Sequence, residues 1–251
     1  MDLNLKGCVA LVTGGGAGIG EAIAQALAAE GCKLWILDRD VGSAEKTANA
    51  IVGKGMQAQW SSLDVSDERD VSRTFDQISN ESRIDILVNA AGLLSAGTVA
   101  DLPMTEWNRV SNVNLAGTVY CIKAAIPTMS KQRHGRVINI ASISAVRGGG
   151  SVGNTIYGAT KAGVVALTMG LARELGPQGI TVNAISPAVA DTAMTRKLLT
   201  DDARTKILAR VPLGRMAELS DIANLAVFLA SDRASFITGT SIPVDGGILT
   251  T

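Results

Sequence analysis

Three groups of residues have types and spacings that could do chemistry. The first is Thr13-Gly14-Gly15-Gly16-Ala17-Gly18-Ile19-Gly20, which follows the apolar run Cys8–Val12 and precedes a helical pattern. Glycines let a backbone turn sharply and approach a ligand without a Cβ clash, and the start of the next helix offers free N–H groups and positive dipole to a pyrophosphate. The spacing Gly14-x3-Gly18-x-Gly20 fits neither G-x-G-x-x-G nor a P-loop, because no Gly-Lys-Ser/Thr follows. Taken alone it also suits a tight structural turn. The second group is Asp38, which closes the run Leu34–Leu37. A carboxylate about 20 residues past such a turn can accept both hydroxyls of an adenosine ribose. It would repel a 2′-phosphate by several kcal/mol at roughly 5 Å and an effective dielectric near 20, which selects NAD over NADP, although Arg39 could offset part of this. The third group is the pair Tyr157 and Lys161, four residues apart in a helical pattern. Residues at that spacing face the same way on any helix, so the pair alone is no signature.

The elements that must hold these residues alternate. Short apolar runs at Cys8–Val12, Lys33–Leu37, Ala58–Leu63, Ile84–Val88, Arg136–Ile140, Ile180–Ile185 and Ile237–Ile242 read as strands, several buried on both faces. Between them lie segments with helical patterning: Gly18–Glu30, a stretch from about Thr105 toward Met129, and about Thr155 to Leu175, stopped by Gly176-Pro177. Repeated βα order predicts one parallel sheet with helices on both faces. No linker divides the 251 residues, so residues 1–251 read as a single doubly wound α/β domain of Rossmann type. In such sheets ligands bind beyond the carboxyl ends of the strands, which is where all three groups fall.

With these placements the sequence resembles the short-chain dehydrogenase/reductase family over essentially its whole length. The matching motifs are Thr13–Gly20, Asp64-Val65, Asn89-Ala90-Ala91-Gly92, Asn114, Ser142, Tyr157/Lys161, Asn183 with Pro187, and Val244–Gly247. The resemblance implies a sheet of about seven strands, usually in a homotetramer. It implies that Tyr157 exchanges a proton with the substrate oxygen while hydride moves to or from a nicotinamide. It implies that Lys161 binds the nicotinamide ribose and that Asn114 holds a water connecting Lys161 to solvent. A free tyrosine titrates near ~10; a lysine cation about 5 Å away, at an effective dielectric near 20, is worth roughly 3 kcal/mol, or about two pKa units toward tyrosinate. The family's serine falls on Ser142 when counted from the strand Gly135–Ala141, and on Ser144 when counted back from Tyr157. Strand geometry fixes a hydroxyl more tightly than loop length does, which selects Ser142 to hydrogen-bond the substrate oxygen.

Other carried-over positions concern the dinucleotide. Gly14, Gly16, Gly18, Ile19 and Gly20 would form its cradle, and Asp38, Asp64 and Val65 would hold its adenosine. Asn89, Ala90 and Gly92 would pass close to a ribose. Pro187, Ala190 and Thr192 would face the carboxamide, with Ala188 where the family has glycine. Leu93, Leu94, Val146 and Met194 are expected pocket walls beside Ser142 and Tyr157. The span from about Ala190 to Pro212 mixes apolar and charged residues as a substrate lid would.

Composition narrows the rest. Lys+Arg and Asp+Glu are both 23, which leaves no basic excess for nucleic acid and no polybasic run for a membrane surface. The three cysteines are widely spaced, with neither disulfide nor metal-ligand spacing, as suits a reducing cytosol. The N-terminal Met1–Lys6 lacks the pattern of a signal peptide. The lone His134 sits in a polar turn and reads as a surface residue without a metal role. The expected activity is NAD-dependent interconversion of a small secondary alcohol and a ketone by a cytoplasmic enzyme. Two alternatives stand beside it: an NADPH-dependent β-oxoacyl thioester reductase, on carrier protein or coenzyme A, and a non-catalytic NAD-binding scaffold, which retention of both Tyr157 and Lys161 disfavours.

Overall fold

The computed structural model describes residues 2–150, 153–192, 195–196 and 199–250. Seven strands form one parallel sheet in the order β3-β2-β1-β4-β5-β6-β7. They are β1 Val9–Thr13, β2 Lys33–Asp38, β3 Ala58–Ser62, β4 Ile86–Asn89, β5 Gly135–Ile140, β6 Ile180–Pro187 and β7 Ser241–Val244. Helices cover both faces: α1 Gly18–Ala29, α2 Val41–Val52, α3 Glu68–Glu81, α4 Met104–Ser111, α5 Gly117–Gln132, the single turn α6 Ser144–Arg147, α7 Thr155–Leu175, α8 Asp201–Leu208 and α9 Leu219–Ala230. The doubly wound single domain expected from the alternation is therefore present.

Alternation of side chains along each strand explains why the sheet is buried on both faces. Ala10 and Val12 of β1 point into the core shared with α1, α2 and α9, whereas Val9 and Leu11 point into the core shared with α3, α5 and α7. Ile86 and Val88 of β4 likewise join the first core and Leu87 the second. The strand order reverses direction between β1 and β4, so the loops leaving these neighbours diverge and open a crevice at their carboxyl ends.

Most strand ends fall within one or two residues of the sequence expectation, and two departures are larger. The last strand is β7 Ser241–Val244 rather than Ile237–Ile242, because Gly239 adopts φ +77° just before it and breaks the extended run. The helical stretch beginning near Thr105 is interrupted by a π-turn at Asn112–Ala116, between α4 and α5. Such turns insert an extra residue into a helix and recur at functional sites. Asn114 sits in the middle of this one.

Candidate active site

A cleft of about 450 Å³ lies above the crevice and reaches from Asp38 at one end to Tyr157 at the other. Its first wall is the glycine turn. Gly14 and Gly18 have φ of +64° and +56°, and a Cβ on Gly14 would stand 2.7 Å from the Ala91 backbone. A Cβ on Gly20 would stand 2.1 Å from the Gly14 carbonyl oxygen. Helices α2, α3 and α7 are capped by the side chains of Asp40, Asp67 and Asn154, but α1 starts from an extended Ala17 with no capping side chain. Its first amides are left for a ligand in the cleft, which Gly14, Gly18, Ile19 and Gly20 line.

Gly16, expected in the same cradle, faces α2 instead, and a Cβ there would stand 2.8 Å from Ser43 Cβ. Its N–H donates to Asp38 Oδ2 at 3.0 Å, and its carbonyl accepts from Thr47 Oγ1 at 3.2 Å. Gly16 thus positions Asp38 rather than lining the cleft. Asp38 Oδ1 also accepts from the Asp40 N–H at 3.0 Å, so the carboxylate is fixed where it borders the cleft. Asp64 and Val65 border it too. Burial pushes the Asp64 carboxyl up, but hydrogen bonds from the Ser66 hydroxyl and N–H, with the charge of Arg39, bring it below the usual range.

Ala90, Gly92, Leu93 and Leu94 line the crevice after β4, but Asn89 does not. Asn89 is still within β4, and its buried side chain donates to Asn139 Oδ1 at 2.9 Å. Asn139 in turn donates to Thr168 Oγ1 on α7 at 2.9 Å. Asn89 thus ties the sheet to α7, and the chain reaches the cleft only after β4 ends.

At the far end stand Tyr157 and Lys161, one turn apart on α7. The ammonium lies 5.8 Å from the phenol ring centroid and donates to the Ile140 carbonyl at 2.7 Å. Burial brings Lys161 down from the ordinary 10.5 to about 8. Burial pushes the Tyr157 phenol up, and a hydrogen bond with Ser142 pulls it the other way without prevailing. The phenol is thus raised by burial rather than moved toward tyrosinate, and the Lys161 ammonium spends a proton on the Ile140 carbonyl. Ser142 follows β5, and its Oγ accepts from the Ser144 N–H at 3.1 Å. Both serines border the cleft, and Ser142 is the one that hydrogen-bonds with Tyr157.

Asn114 sits behind this group and is almost fully buried. Its Oδ1 accepts from the Leu93 N–H at 2.7 Å, and its Nδ2 donates to the Leu93 carbonyl at 3.0 Å and to Thr160 Oγ1 at 3.1 Å. The π-turn aims this side chain so that it clips the loop after β4 onto α7. Pro187, Ala190 and Thr192 close the opposite wall. Val146 is not a wall: it is 77 % exposed, because α6 is a single turn that carries its third residue outward, and the next residue, Arg147, borders the cleft. Met194 lies outside the described residues.

Two further residues escaped the sequence analysis. Asn154 caps α7 by accepting from the Tyr157 N–H at 3.0 Å, and its Nδ2 donates to Ser95 Oγ at 3.1 Å. An asparagine at the start of a helix is a legible capping signal, but the loop it also pins is not legible. Gly153 lies flat against Tyr157, where a Cβ would stand 2.3 Å from the ring. His134 is half-buried, its imidazole pushed down by burial and by Arg136, which departs from the surface placement expected of it. Among the described residues no group of His, Cys, Asp and Glu could hold a metal ion, and no helix is long and apolar enough to cross a membrane.

A family model described as enoyl-(acyl carrier protein) reductase matches residues 14–249. The 3-oxoacyl-(acyl-carrier-protein) reductase FabG of Escherichia coli strain K12 is 40 % identical over 255 residues, which cover 98 % of this chain and 99 % of that protein. This chain belongs to the short-chain dehydrogenase/reductase family. The FabG of Aquifex aeolicus is 38 % identical, over 99 % of this chain and 100 % of that one. A putative NAD(P)-dependent gluconate 5-dehydrogenase from Beutenbergia cavernae, solved with NADP at low occupancy, superposes with a TM-score of 0.95 at 34 % identity, covering all of both chains. A putative gluconate dehydrogenase from Agrobacterium tumefaciens superposes with the same TM-score at 29 % identity, over 100 % of this chain and 99 % of that one. As a short-chain dehydrogenase/reductase the chain is an oxidoreductase that uses a nicotinamide dinucleotide, and the uncapped α1 with its glycine cradle fits that group.

Proposed function

We propose that this enzyme interconverts a ketone and a secondary alcohol in a hydroxyacyl compound, with Tyr157 as the general acid and base. The observation that carries the reading is the convergence of Ser142 and Lys161 on Tyr157 at one end of a cleft whose other end is the glycine cradle. Gly14, Gly18, Gly20 and Asp38 would hold a nicotinamide dinucleotide, which would supply or take up the hydride at the reacting carbon. In reduction the Tyr157 hydroxyl passes its proton to the substrate oxygen, and the Ser142 hydroxyl donates a hydrogen bond to the same atom as it gains charge. In oxidation the proton returns to Tyr157. Lys161 holds a positive charge beneath the ring, while Asn114 and Asn154 hold α7 and the loop after β4 in register.

Asp38, fixed at the cleft edge by Gly16 and Asp40, supports a preference for NAD over NADP. The span from about residue 190 to 212 serves as a lid: Ile207 borders the cleft and packs with Val211 against Ile143 and Ile248. Exposed Trp107, Val119 and Met169 on α4, α5 and α7 support association into a homotetramer. Two substrate classes fit. Reduction of a 3-oxoacyl thioester is favoured by the names of the FabG relatives, and oxidation of a small polyhydroxy acid by those of the gluconate dehydrogenases.

The test is a panel of 3-oxoacyl thioesters, sugar acids and neutral ketones and alcohols, each assayed with both cofactors by nicotinamide absorbance. Turnover of a hydroxyacyl or oxoacyl member, faster with NAD(H), is the expected result. Turnover confined to simple alcohols, or faster with NADP(H), would refute the corresponding half of the reading.

A further inference from the structure

The charges around the cleft are unevenly divided. The two carboxylates that border it, Asp38 and Asp64, lie with Arg39 at the glycine-turn end. The tyrosine end is bordered by two cations, Lys161 and Arg147, and by no carboxylate among the described residues. Lys161 is buried and spent on the Ile140 carbonyl. Arg147 is exposed and forms no ion pair with any described residue. A lone surface arginine would carry no argument, but this one is held in place. It is the last residue of α6, and its N–H donates to the Ile143 carbonyl at 3.1 Å. Gly148 and Gly149 follow with φ of +71° and +124°, which stops the helix directly after Arg147. The Gly149 N–H donates to the Ser144 carbonyl at 3.1 Å, and the strand of chain at 148–149 lies on Gly158 of α7, where a Cβ would stand 2.5 Å from the Gly149 nitrogen. The guanidinium stem therefore starts from a backbone locked to the helix that bears Tyr157.

We infer that Arg147 binds a carboxylate carried by the substrate a few carbons from the reacting carbon, so that the enzyme acts on a free oxo acid or hydroxy acid. The inference rests on the ketone–alcohol reading above and deepens it. Arg147 ends the single turn that begins two residues after Ser142, and Ser142, Tyr157 and Arg147 all border the same cleft. An anion on its guanidinium would share that cleft with the oxygen that Ser142 and Tyr157 bind. In a 3-oxoacyl thioester the corresponding position is an uncharged carbonyl, which offers a planar, doubly donating guanidinium far less than a carboxylate does. Among the described residues that border the cleft, the carboxylates Asp38 and Asp64 are at the other end.

The probes are matched pairs: 3-oxobutanoate, 4-oxopentanoate and 5-oxohexanoate, each against its methyl ester, with NADH. The wild-type enzyme should favour one of the acids over its ester by about 10- to 100-fold in kcat/KM, the range of a charge-assisted hydrogen bond. Arg147→Gln should collapse that ratio toward one, chiefly through KM for the acid, and Arg147→Lys should restore part of it. Equal handling of acid and ester by the wild type, or an undiminished ratio in Arg147→Gln, would overturn the inference. Binding of each acid to the enzyme–NADH complex, followed by nicotinamide fluorescence, separates this outcome from failure of the parent reading. Acid binding that Arg147→Gln removes, without turnover of any ketone, sustains the site and refutes the reading. Turnover of ketones without acid binding does the reverse.

Discussion

At the glycine-turn end of the cleft the shape is set by backbone atoms, whereas at the tyrosine end it is set by side chains. Gly14, Gly18 and Gly20 contribute nothing but the room their missing Cβ atoms leave and the amides they expose. Asp38 is the main side chain there, and the turn itself holds it. At the other end Tyr157 and Lys161 come from α7 and Ser142 from the chain after β5, and Asn114 of the π-turn and Asn154, the cap of α7, bring them into register. The difference separates binding from chemistry: the first end fixes where a dinucleotide lies, and the second decides what happens beside it.

Substitutions at the two ends should therefore fail differently. Tyr157→Phe has the largest expected effect: turnover falls by at least about 10²–10⁴-fold while NADH binding, followed by fluorescence, persists. The ring still packs on Gly153, and no histidine stands near to replace the lost hydroxyl. Substantial turnover in this variant would break the division between the two ends. Gly20→Ala should do the opposite. Its methyl would meet the Gly14 carbonyl, so NADH affinity and melting temperature should fall together, with kcat following only through loss of the cofactor.

The serines give a finer test within one end. Ser142→Ala should lower kcat by about 10- to 100-fold, the scale of a lost hydrogen bond to a developing charge, and Ser144→Ala by several-fold less. A larger loss in Ser144→Ala would move the hydroxyl two residues along, to the start of α6.

The last effect concerns stability. Lys161 titrates at about 8 in the folded chain and near 10.5 when unfolded, so the unfolded state binds more protons between those values. Burying its charge costs stability fully below pH 8, and the cost is relieved as pH rises toward 10.5. Over that window the wild type should gain on the order of 3 kcal/mol relative to Lys161→Met, measured by urea unfolding at a series of pH values. A pH-independent difference between the two proteins would show that Lys161 is not desolvated.

The same division explains what the sequence shows in advance. Backbone-built features are written locally: the glycine turn follows a strand, Asp38 closes the next strand, and alternation along β1 and β4 places both cores. Features that need two distant segments are not legible. Gly16 and Asn89 lie within recognisable motifs, yet one serves Asp38 and the other binds β5, because their partners are 22 and 50 residues away. Val146 and Arg147 differ by one position on a single-turn helix, and only the three-dimensional turn decides which borders the cleft. The effect of Lys161 on Tyr157 could be given a sign from charge alone, but the burial that raises the phenol depends on the whole fold.

The turn of glycines after α6 also bears on how such an enzyme changes over generations. Gly148 and Gly149 end that helix downstream of Ser142, and Asn154 caps α7 five residues further on. Residues gained or lost between these two anchors would alter the wall that Arg147 stands on while Ser142, after β5, and the cap of α7 stay in place. A population of descendants could thus exchange one acid for another by small edits to this one segment, inheriting the proton transfer intact.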